Sequence, residues 1–350
     1  MSNEITDIRD NFKSITFSEY SKSKVKLELI KCINNSKIEN ACNWTAELIC
    51  SGHYIDLWDI IINYMCKYIN LGNPKLSLYI ELRFNKFKEI INNYYNNFLD
   101  LRNNKNIRDL FCEIICVLIF SSKKLKIDEI KIQSEDITNF ASLSDKLKAK
   151  STEYINFFFD NDDDPCEIYI PCNEFIYSII NKSLQQSIYW VEWIISFEIY
   201  LAKNKKSLLG KYRNFAPKSF EKDIIMIIWE IIFYYSKQKN TLSNKICNSL
   251  FNLFCIKYDK NTKKKRRIVI YLALQIITEN YDHNISIICN KEKINNIILK
   301  LDNIYKEIKK NEYPPKNNYL NKNTEKSLTK LNILNNFEAF NDTNSSDNEY

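Results

Sequence analysis

Apolar residues recur every three or four positions through most of this chain, with polar residues between them. Val25, Leu27, Leu29, Ile30 and Ile33 set the first stripe, over 24–33. The next stretch is the most informative. Ala41, Trp44, Leu48 and Ile49 carry one helical face, which Gly52 stops. Leu57, Trp58, Ile61, Ile62, Met65 and Ile69 carry another, closed by Leu71-Gly72-Asn73-Pro74. This hairpin reads as a packing core, with Trp44 and Trp58 meeting across the break at Gly52. The pattern continues over 76–101 as one long helix or two. Over 107–120 it is apolar nearly all round, as in a helix buried at a centre.

The second half repeats the texture. Helices are expected over 166–181, over 184–201 with Trp190 and Trp193, over 220–235 around Trp229, and over 242–258, 267–280 and 285–309. Residues 123–150 read as a polar loop with one short helix near 142–148. Two strings, Ala41–Ile49 and Ser187–Ile195, share a small residue before Trp and an aliphatic pair after it. Two copies do not make a repeat, and Trp-bearing core helices account for both.

These elements predict an all-α fold, either a multi-helical bundle or a HEAT-like stack of about ten to twelve helices. Residues 1–23 are expected to be flexible, 24–159 to form one helical half and 166–310 the other. The acidic run 160–165 (Asp-Asn-Asp-Asp-Asp-Pro) is the expected linker, and 311–350 a disordered tail with a short helical motif at 328–340.

Composition sharpens this. With 3 Gly and 6 Pro the 350-residue chain has few tight-turn residues, which disfavours doubly wound and all-β folds. Abundant Asn, Ile, Lys and Tyr look like the imprint of an AT-rich genome. The 11 Cys lie scattered along apolar faces, Cys112 and Cys116 one turn apart, and read as small buried hydrophobes in a reducing compartment. Neither a signal peptide nor a membrane-spanning run is legible, so a soluble intracellular protein with no membrane partner is expected.

Candidate chemistry is sparse. Only His53 and His283 are present, without a Cys-x-x-Cys, so zinc sites of ordinary spacing are not expected and no metal is assigned. His53, directly after Gly52, reads as a capping or surface residue. Three scattered glycines, Gly52, Gly72 and Gly210, cannot make a phosphate-cradling loop, and no cofactor is assigned. The run 160–164 lacks the Gly and the distal Glu of a calcium loop. That leaves two basic clusters as candidate nucleic-acid contacts. Lys263, Lys264, Lys265, Arg266 and Arg267 enter a helix together, where they repel one another and the helix N-terminus until a polyanion relieves them. Lys203, Lys205, Lys206, Lys211 and Arg213, interleaved with Tyr212 and Phe215, form a looser cluster. Solvated loops of a Lys-rich chain are the competing reading of both. Trp44, Gly52, Trp58, Gly72, Pro74, Trp190, Trp193 and Trp229 are the expected structural or interaction core. No catalytic residue is assigned.

The strings ACNWTAELICSGH, LWDIIINYMCKYI and NLGNPKL resemble a conserved helical protein of the nucleocytoplasmic large DNA viruses, of the mimivirus and phycodnavirus type. The resemblance spans most of 25–310 and implies no known chemistry. Ala41, Trp44, Ala46 and Gly52, with 69–74 after them, are also similar to the helical oligomerisation collar of clamp-loader and Werner-helicase-interacting AAA+ proteins. This chain lacks their ATPase module. Together these imply a non-enzymatic viral adaptor or scaffold of replication or transcription machinery, with protein partners and nucleic-acid contact through a basic loop. It would act in the host cytoplasm, the viral factory or the nucleus. A HEAT-type scaffold for RNA or translation factors and a virion structural component are the alternatives.

Overall fold

The structure, a computed structural model, describes residues 3–313 except 8, 10, 11 and 94–97. The expected tail beyond 313, with its motif at 328–340, lies outside the described residues. These residues hold 14 α-helices and no β-strand. In chain order they begin with α1 (Lys22–Asn34), α2 (Ile38–Cys50), α3 (Tyr54–Tyr64), α4 (Leu76–Asn93) and α5 (Phe98–Asn103). There follow α6 (Lys105–Phe120), α7 (Ser134–Thr138), α8 (Tyr169–Ile180), α9 (Leu184–Lys203) and α10 (Ile225–Lys239). The last are α11 (Thr241–Phe254), α12 (Thr262–Thr278), α13 (Lys291–Ile298) and α14 (Leu301–Lys309).

The described chain divides into two compact units, one of residues up to 124 with those from 284 onward, the other of 125–283. The division therefore falls at Lys124 and again at His283, not in the acidic run 160–165. That run folds inside the second unit, where Asp164 is buried against Arg213. The last two helices, expected in the second half, belong to the first unit.

Each unit is built around one apolar helix. In the first, α6 packs against α1, α2, α3, α4, α5 and α13, which explains why its sequence is apolar nearly all round. Trp58 is fully buried there, its ring 5.1 Å from Phe84, 5.6 Å from Phe87 and 5.1 Å from Phe111. In the second, α12 packs against α8, α9, α10 and α11. A stacked repeat would confine each helix pair to its neighbours. These are bundles. Trp190, Trp193 and Trp229 are buried in the second unit. Trp193 stacks on Phe197 and donates its indole N–H to the Asp136 carbonyl at 2.8 Å.

Trp44 is the exception. It is only half-buried, edge-on to Tyr20 at 5.4 Å, so the core tryptophan of the opening hairpin is Trp58 alone. The similar strings around Trp44 and Trp190 consequently occupy different surroundings.

Turns show how so few glycines suffice. After α2, Gly52 takes φ 68°, with Gly52 N–H donating to Ile49 O and His53 N–H to Leu48 O, both at 2.9 Å. That is a Schellman stop. The same bonding follows α1, α8 and α9, but with Ser36, Lys182 and Lys205 at φ 54°, 54° and 58°. Left-handed backbone costs a residue with a Cβ about 1–2 kcal/mol. Ser36→Gly and Lys182→Gly should therefore each stabilise the protein by up to about 1 kcal/mol, measured by urea unfolding, once glycine's own flexibility is subtracted. Gly72 is needed for space: a Cβ there would stand 2.2 Å from the Ser122 carbonyl oxygen, where the chain leaves α6. Pro74 follows it, buried, at the start of the turn into α4.

The N-terminal segment, expected to be flexible, is packed down by Ile5, Phe12 and Phe17, all buried. Buried Arg102 donates to the Asp7 and Arg9 carbonyls. Asp7 accepts a fork of hydrogen bonds from Arg9, whose guanidinium lies over Tyr313 at 4.2 Å. Burial acts to raise the Asp7 carboxyl, but the Arg9 bonds outweigh it and hold it below its ordinary 3.8. A lowered carboxyl contributes stability that is complete above the unfolded value and lost as pH falls through the folded one. Limited proteolysis of the segment should thus be constant down to about pH 4 and accelerate below it.

Candidate functional site

In the second unit the end of α9, the loop 205–209, the turn 219–223 and the entry to α12 enclose a cavity of about 520 Å³. This lies within the range of ligand sites, roughly 300–1,000 Å³. Lys205, Lys206, Lys222, Lys260 and Lys263 line it, against two carboxylates, Glu198 and Asp223. The formal excess is three positive charges. Ile199, Ala202, Leu208, Leu209 and Phe220 supply apolar wall, with Leu209 58% exposed.

The pocket owes its shape to a framework of internal ion pairs. Arg213 is buried and fork-bonded to buried Asp164, at 3.2 and 3.1 Å, while its Nε reaches Glu230 at 2.7 Å. Asp164 also accepts the Lys211 N–H at 2.8 Å, and Lys211 pairs with Asp160 at 3.2 Å. Gly210 sits directly over this pair, where a Cβ would come within 2.9 Å of Asp164 Oδ1. Backbone bonds from Gly210 to Lys222 and from Arg213 to Glu221 tie the loop to the turn 219–223. The acidic run and the second basic cluster are thus each other's partner. Arg213 is buried in that framework and is not available to a phosphate backbone as expected, whereas Lys211 pairs with Asp160 and stays exposed.

The first basic cluster divides the same way. Lys263 is buried, bridging Glu198 and Asp223, the latter at 2.8 Å. Burial pushes the Glu198 carboxyl up, against the pull of Lys263. Arg266 is buried and donates to the Phe254 and Ile256 carbonyls, closing the C-terminal end of α11 at a kink in α12. Arg267 pairs with Glu192 and Glu129. Only Lys264 and Lys265 of the five are exposed. The expected repulsion at this helix entry is relieved by the protein's own carboxylates and carbonyls.

The exposed cations at the pocket are therefore Lys205, Lys206, Lys222 and Lys260, with Lys264 and Lys265 on the adjoining turn of α12. Lys222, Glu198 and Asp223 carried no local signal in the sequence; tertiary packing alone brings them to the two basic stretches. The lining includes neither His nor Cys. His53 Nε2 donates to the Ile15 carbonyl at 2.8 Å in the first unit, and burial lowers its imidazole. What this arrangement can do chemically is hold an anion: ammonium groups are compact point charges suited to phosphate oxygens. No helix among the described residues is long and apolar enough to cross a membrane. No family model, curated protein or solved structure matches the chain.

Proposed function

We propose that this chain is a non-enzymatic helical adaptor that works with nucleic-acid machinery and grips a phosphate backbone at the lysine-lined pocket of its second unit. The observation that carries this reading is the convergence of four exposed lysines from three separate stretches on one cavity. Both lining carboxylates are tied to Lys263, so the groups left facing the opening are cations and apolar wall. That combination suits a nucleotide chain, whose phosphates meet the lysines while a base or sugar rests on Leu209 or Phe220. The resemblance to proteins of large DNA viruses makes replication or transcription the natural setting, with protein partners on the remaining surface.

Fluorescence anisotropy with labelled single-stranded and duplex oligonucleotides tests it. The combined variant Lys205→Ser, Lys206→Ser, Lys222→Ser, Lys260→Ser should bind at least about tenfold more weakly at low salt than wild type. Its melting temperature should barely move, because exposed substitutions usually stay within about 0.5 kcal/mol. Equal binding by the two proteins would overturn the proposal.

A further inference from the structure

A second cluster lies in the core of the first unit. Cys42 on α2 and Cys112 and Cys116 on α6 bring their three sulfurs within 4.8 Å of one another, and the Cys42 and Cys112 sulfurs are 3.4 Å apart. Cys112 and Cys116 are one helical turn apart and so share a face, and α2 lays Cys42 against it. All three are buried. Among the described residues no fourth His, Cys, Asp or Glu joins them.

We propose that this triad is a three-sulfur site for a soft, thiolate-seeking metal cation of the Cu(I) class. With metal–sulfur bonds of about 2.3 Å, three sulfurs at the corners of a trigonal site stand about 4.0 Å apart. The Cys42–Cys112 separation of 3.4 Å is a little shorter than that figure and no pair is farther apart than 4.8 Å, so small side-chain rotations close the site without moving either helix. Thiolate donors select Cu(I) among the common ions, whereas structural zinc asks for a fourth ligand. The apolar surroundings keep water from filling that place. Binding replaces S–H bonds by S–metal bonds: each thiol that coordinates as thiolate gives its proton to solvent, and no electron is transferred. The burial that makes the site dry also means that the ion enters as the unit folds or opens locally.

The test uses the full chain, reduced and refolded anaerobically with Cu(I) held by a weak competing chelator. One Cu(I) per chain should survive gel filtration, with protons released on binding and a first shell of sulfur alone, three atoms, by X-ray absorption. Cys42→Ser and Cys116→Ser should each lose the metal, while Cys172→Ser, a buried thiol of the second unit, should keep it. Should a Ser variant not fold by circular dichroism, Cys42→Ala takes its place. Zn(II) in a parallel arm should be retained less well than Cu(I). The proposal is overturned if wild type emerges metal-free, if the triad variants retain as much copper as wild type, or if the first shell contains nitrogen or oxygen.

Discussion

Arg213→Met should unfold the second unit at a temperature lower by roughly 10 °C or more, corresponding to about 3–5 kcal/mol for orphaning one partner of a buried pair. The Arg213 side chain is 2% exposed and that of Asp164 fully buried, so removing the guanidinium strands a carboxylate away from water. Backbone N–H groups of Lys211 and Asp160 would still bond that carboxylate, which keeps the loss short of a full ionic desolvation. Arg213→Lys should recover little, because an ammonium cannot make the fork to Asp164 and reach Glu230 together. Lys211→Ser supplies the contrast. Its pair with Asp160 is exposed, and such pairs are worth about 0–1 kcal/mol. Calorimetry on the three variants checks the ordering. Equal melting of Arg213→Met and Lys211→Ser would mean that the acidic run is a solvated linker after all.

Trp58→Ala should cost about 3–5 kcal/mol, the range for truncating a buried aromatic, because its ring fills the space among Phe84, Phe87 and Phe111. Trp58→Phe should cost much less, since it keeps most of that volume and removes an indole N–H that has no partner. Trp44→Ala acts on a half-buried ring beside Tyr20, and a destabilisation of about 1 kcal/mol is expected. Urea denaturation followed by circular dichroism separates these. A Trp44→Ala effect matching that of Trp58→Ala would restore the picture of a hairpin with two core tryptophans.

Much of this fold is legible in the apolar periodicity. The stretch of α6 reads as central because it is apolar nearly all round, and it is, with Lys105, Asp109 and Glu113 along its outer side. Gly52 reads as a helix stop because only the left-handed region closes that turn cheaply. The misreadings share one cause, which is that periodicity and charge runs are local whereas partners are not. Trp44 lies on the same stripe as Ala41 and Leu48, and nothing in the stripe tells which end of it meets solvent. The acidic run 160–165 looks like a linker until Arg213, nearly 50 residues on, is placed beside Asp164. For the same reason five consecutive cations look free until Glu198, Asp223, Glu192 and two carbonyls are set against three of them. The left-handed turns at Ser36, Lys182 and Lys205 are invisible because a glycine-poor chain fills them with ordinary residues.

The central claim is that the exposed lysines of the second unit bind a phosphate backbone while its buried cations hold the fold. The salt dependence of oligonucleotide affinity tests it most directly. Every phosphate that the protein no longer neutralises should flatten the log–log slope by about 0.9 on duplex DNA and about 0.7 on single strands. Replacing Lys205, Lys206, Lys222 and Lys260 by Ser should therefore flatten it by up to about 3.6 on duplex DNA and about 2.8 on single strands, with melting unchanged. A slope identical to that of wild type in that folded variant would contradict the account.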